Sequence, residues 1–109
     1  MIDELFNQHN FDPTVPGQLL IVEHVETTDQ YRIGPLVVVS NQDGYRVSRA
    51  IFAGGEMKSG LSVSFDPEGN PIGATNDWGS QVDPAEAWKD LEELISQSYL
   101  GTKAEYRRT

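Results

Sequence analysis

Apolar positions recur at helical spacing near both ends of this chain and at a period close to two through its middle. In Ile2–His9 the residues Ile2, Leu5 and Phe6 share one side, with Asp3 and Glu4 suited to a first turn, which predicts a short helix. So short a helix does not hold alone, so Phe6 is expected to dock on the body. Asn10–Gly17 contains two prolines and a glycine and reads as a connection.

Strand signals follow. Gln18–Glu26 alternates, with both faces apolar at its start and polar at its end, which predicts a strand central at one end. Gly34-Pro35 interrupts the next run; the strand is expected over Leu36–Ser40, with a bend or bulge at Gly34. Asn41–Gly44 predicts a hairpin turn, with Gly44 in the positive-φ position. Tyr45–Phe52 reads as a third strand and Ala53–Gly60 as a flexible loop. In Leu61–Phe65 the apolar residues Leu61, Val63 and Phe65 alternate with two serines. Asp66–Asn70 is a turn, and Pro71–Thr75 returns as a short strand that its proline assigns to an edge.

The last element is a helix. Asp83 caps it, Pro84 fits its first position, and Glu86 completes a capping-box pattern. Ala87, Trp88, Leu91, Leu94, Ile95 and Tyr99 form an apolar stripe opposite Glu86, Lys89, Asp90, Glu93 and Gln97, and Gly101 is the expected stop. The expected fold class is therefore α+β: an antiparallel sheet of about four to five strands, a C-terminal amphipathic helix packed on one face, and a short N-terminal helix.

Composition narrows the function more than it names one. The length of 109 residues is that of one domain. Eight Lys and Arg against 17 Asp and Glu give a net charge of −9, which argues against direct nucleic-acid binding. The acidic body is expected over residues 1–101, with residues 102–109 as a short basic tail carrying Lys103, Arg107 and Arg108. The longest apolar runs are four residues, against ~20 for a membrane span. They predict neither a membrane helix nor a secretory leader, and a cytoplasmic protein. No cysteine is present, so disulfides, thiolate catalysis and Cys-ligated zinc are excluded.

Chemical motifs are weak. Gly54–Gly60 resembles a phosphate loop only in composition: Met57 stands where a glycine must precede Lys-Ser, and Glu56 would repel phosphate. Asp43, Glu56 and Lys58 match the acid-plus-lysine pattern of metal-dependent nucleases, but Asp43 falls in a turn and Glu56 in a loop. His9 and His24 have no metal-ligand spacing, and His24 reads as a strand residue. Neither a catalytic residue, a metal ligand nor a cofactor is assigned.

Glu86, Asp90 and Glu93 stand at i, i+4 and i+7 on one helix face, and Glu92 extends them. Such a face is an ordinary solvated surface or one that meets a basic partner. Trp78, beside Asp77 in a polar loop, either closes the core or stands out as an aromatic anchor. Tyr31, Tyr45, Arg46 and Arg49 are expected on the outer sheet face. The sequence thus points to a non-catalytic module that binds a protein with a basic surface, as an inhibitor, immunity-type or accessory protein. Its candidate contacts are Asp77, Trp78, Glu86, Asp90 and Glu93. A homodimer through an edge strand or helix face fits the same pattern. The alternatives are a DNA mimic or phage-encoded anti-defence protein occupying a nucleic-acid site, and a small enzyme of unassigned class.

Overall fold

The computed structural model describes residues 2–22, 32–53, 56–58, 60–76, 79–98 and 104–108. The elements run α1 (Ile2–Gln8), β1 (Gln18–Val22), β2 (Arg32–Asn41), β3 (Gly44–Ala53), β4 (Glu56–Lys58), β5 (Ser62–Phe65), β6 (Pro71–Thr75), α2 (Pro84–Ser98) and β7 (Ala104–Arg108). The described strands form one antiparallel sheet of order β6-β5-β3-β2-β1-β7, with β4 paired to β3 beside that path. The α+β class, the C-terminal helix on the sheet and the short N-terminal helix all match the sequence pattern.

The expected strands form where the residues are described, Glu23–Glu26 of the first lying outside them, and two more strands join. Glu56–Lys58 lies where a loop was expected and pairs with Ile51–Ala53 across Gly54-Gly55. Gly54-Gly55 between them lie outside the described residues; as a dipeptide between two extended segments they are a hairpin signal in the sequence. Ala104–Arg108, expected as a tail, pairs along its whole length with Gln18–Val22. A polar, charged segment can do this at a sheet edge because backbone groups, not side chains, make the ladder. Pro71–Thr75 takes the other end of the sheet order, as its proline predicts. The chain must therefore travel from one edge to the other after β6. Five strand spacings come to ~24 Å, and a helix the length of α2 spans ~22 Å.

Alternation sets the two faces. Leu20, Val22, Leu36, Val38, Tyr45, Val47, Val63 and Phe65 are buried on the face that carries the helices. Helix α1 adds Leu5 and Phe6, and α2 adds Ala87, Leu91 and Ile95. A row of rings links the helices across the sheet. Phe11 meets Phe6 at 5.1 Å, Phe6 meets Tyr45 edge-on at 5.8 Å, Tyr45 stacks on Phe65 at 4.7 Å, and Phe65 meets Trp88 edge-on at 4.7 Å. Tyr45 is therefore a core residue, 9% exposed, and not part of the outer face as expected. It shares the strand parity of Val47, and its ring is held between α1 and β5. Arg49 has the same parity and is half-buried. Arg46 alone among the described members of that group is exposed on the outer face; Tyr31 lies outside the described residues.

Local chemistry closes the ends. Asn10, at φ 53°, terminates α1, and the Phe11 amide donates back to the Phe6 carbonyl at 2.8 Å. The Phe6–Phe11 contact completes this left-handed helix stop. Strand β2 shifts register between Ile33 and Leu36 but continues past Gly34-Pro35, so the expected bulge is a bulge within a longer strand. At the start of α2 the Glu86 amide donates to Asp83 Oδ2 at 3.0 Å. Asp83→Ala should cost about 1 kcal/mol through loss of this cap. Thermal unfolding of the variant checks it; an unchanged midpoint would displace the helix start.

Candidate functional site

Helix α2 is two-sided because its sequence is. Ala87, Leu91 and Ile95 are buried against the sheet, and Trp88 and Leu94 are half-buried beside them. The side turned away from this seam carries Glu86, Asp90 and Glu93, all exposed, with Lys89 next to them and Glu92 half-buried. From Glu86 to Glu93 the helix rises ~10 Å. The three carboxylates therefore form a short file along one stripe of solvent-facing surface. None of them forms an ion pair with a described residue. Of the sequence-derived contacts the structure brings together these three; Asp77 and Trp78 lie outside the described residues.

The weaker constellations separate. Asp43 is exposed in the β2–β3 turn beside Gly44, the first residue of β3. Glu56 pairs with Ala53, the last residue of β3. A strand of that length is ~30 Å long, so the two carboxylates cannot share a metal ion. The segment around Lys58 is a strand, not the helix start that a phosphate loop requires. No group of three or more His, Asp or Glu residues with metal-binding proximity occurs among the described residues. His24 lies outside the described residues. His9 follows α1, and burial holds its imidazole below the usual histidine range.

Two exposed carboxylates are shifted by local bonding. Asp66 is held below the usual range chiefly by the Asn70 backbone amide, at 2.8 Å, and then by the Asn70 side chain, at 3.1 Å. Asp12 is lowered by the Thr14 hydroxyl, at 2.6 Å, and the Thr14 amide, at 3.0 Å. Both are turn-formers in the connections that flank the sheet, and their bonds are internal.

A buried polar cluster was not foreseen. Gln18 is 2% exposed at the start of β1, and its Nε2 donates to the carbonyls of Asp12, at 2.6 Å, and Val15, at 2.8 Å. Its amide donates to Ser40 Oγ at 3.0 Å, and the Ser40 hydroxyl donates to the Val15 carbonyl at 2.6 Å. These bonds satisfy the backbone of the connection between α1 and β1 and tie it to β2. The cluster is structural. Its only sequence signal is a glutamine on the strand parity of Leu20 and Val22.

No helix among the described residues is long and apolar enough to cross a membrane. Comparison of the sequence with known families and curated proteins, and of the fold with solved structures, finds no match.

Proposed function

We propose that this chain is a non-catalytic binding module whose partner is a protein with a basic surface, and that Glu86, Asp90 and Glu93 meet that surface. The observation that supports the reading is the solvent-facing file of carboxylates on α2, fixed in direction by the buried seam of Ala87, Leu91 and Ile95. A rigid helix that presents several like charges on one side accelerates encounter with an opposite charge and selects among partners. The overall charge of −9 adds a field of the same sign. An inhibitor, immunity-type or accessory protein works in this way, in the cytoplasm, by occupying a surface.

The test is a parallel affinity capture from the source cell with the wild-type chain and the variant Glu86→Lys/Asp90→Lys/Glu93→Lys. The captured protein is then purified and titrated with both. The reading expects affinity to fall at least about ten-fold in the variant, and the association rate to fall as salt rises from 0.05 to 0.3 M, roughly two-fold or more. Equal binding by the variant, with unchanged far-UV dichroism, would reduce this face to solvated surface. Displacement of the partner by duplex DNA would favour the mimic reading over an ordinary protein contact.

A further inference from the structure

The outer face of the sheet, opposite the helices, has two halves. On β1 and β2 it is apolar: Leu19 pairs with Val39 and Ile21 with Val37, all half-buried. Where Arg46–Ser48 of β3 meets β5 and β6 it is polar, because Arg46 aligns with Ser64 and Gly73, and Ser48 with Ser62 and Thr75. Two depressions open on this polar half. One, of about 250 Å³, extends from Val39 and the Asp43 turn to Arg46. The other, of about 460 Å³, continues from Arg46 past Gly73 to Gln81. Both are lined by Arg46, Ser64 and Ile72, so they form one trough with the guanidinium at its middle.

The sequence makes the trough. Gly73 has no side chain, and a Cβ built there would meet nothing within 4 Å. Its neighbours across β5 are serines, so the floor stays low. Ile72 is 61% exposed on the rim. Arg46 forms no ion pair with a described residue, although the chain is strongly acidic. The Ser48 hydroxyl donates to Ser62 Oγ at 3.2 Å, which leaves the Ser62 proton to donate outward.

We propose that this trough binds a monocarboxylate that carries an apolar group. The guanidinium fork matches a carboxylate in two parallel hydrogen bonds, and the Ser62 and Ser64 hydroxyls add donors. The apolar group lies against Ile72 on the rim. Asp43 at one end, and the net charge, disfavour a phosphate dianion or a polyanion. The ligand is either a free short-chain acid or the terminal carboxylate of a peptide that ends in an apolar residue.

The full chain, labelled with ¹⁵N, is titrated with isovalerate, with N-acetyl-alanyl-leucine, and with the amide of that peptide. Saturable shifts are expected at the Arg46 Nε–H and at the Ser64 and Gly73 amides, with none from the peptide amide. Arg46→Gln should weaken binding about ten-fold or more; its side chain is exposed, so the spectrum otherwise stays the same. Gly73→Val fills the trough without changing charge and should also abolish the shifts. Response to both acids identifies a free carboxylate as sufficient, and response to the peptide alone identifies a chain terminus. Absence of saturation by both acids, or shifts unchanged in Arg46→Gln, overturns the proposal. The Asp90→Lys/Glu93→Lys variant, which leaves Glu86 near the Pro84 end of the trough unchanged, should bind the carboxylate within about two-fold of wild type. Failure of the helix reading and failure of this one are therefore distinguishable.

Discussion

Gly44→Ala is expected to lower the stability of the fold by about 3 kcal/mol or more, and its unfolding midpoint by roughly 12 °C or more. Gly44 opens β3 at φ +133°, a conformation that side chains rarely adopt. A Cβ there would overlap the Phe65 carbonyl oxygen and lie 2.9 Å from the Phe65 carbonyl carbon and 3.0 Å from that of Asp66. These are backbone atoms, so no rotamer change relieves the clash. Relief would separate β3 from β5 where Tyr45 stacks on Phe65, at the centre of the ring row. Gly79 is the comparison. It also has a positive φ, +80°, but its Cβ would meet nothing within 4 Å. Gly79→Ala should therefore cost only about 1 kcal/mol of backbone strain. Equal midpoints for the two variants in parallel thermal scans would contradict the close approach at Gly44.

Gln18→Glu should destabilise by about 3 kcal/mol at pH 7, although the two side chains have the same shape. The Gln18 amide nitrogen donates to two carbonyls; a carboxylate there would face both with an oxygen. Burial and those carbonyls would raise the pKa of the new acid above its unfolded value of about 4.3. A raised carboxyl pKa stabilises the fold fully below the unfolded value and loses that contribution as pH rises through the folded value. The deficit relative to wild type should thus shrink as pH falls from 7 toward 4.5, since the protonated acid can donate one bond. Denaturant titrations of both proteins at matched pH measure it. A deficit that grows on acidification would show that the glutamine does not act through its donors.

Much of this architecture was readable from spacing. Val63 and Phe65 alternate with serines, Asp83, Pro84 and Glu86 mark a helix start, and Gly34-Pro35 marks a bulge; each is a local signal with a local cause. The same holds for the acidic file, since an amphipathic helix determines its own outside once its apolar stripe is known. Ala104–Arg108 was not readable, because a polar edge strand joins a sheet through backbone bonds that carry no side-chain signature. Tyr45 was misplaced because an aromatic residue on a mixed strand suits either face until its neighbours are known. The Gln18–Ser40 cluster escaped for a similar reason: the two residues are far apart in sequence and meet only when β1 pairs with β2.

The sequence by itself determined the start of α2, the turns at Asn41–Gly44 and Asp66–Asn70, the alternation of the strands and the sign of the net charge, because these depend on residues within a few positions of one another or on composition. Strand order, the pairing of the last segment with β1, the burial of Gln18 and the trough beside Arg46 were decided by the tertiary structure. Each needs two or more strands side by side: a backbone ladder has no side-chain code, and a depression exists only where the small residues of neighbouring strands fall into register.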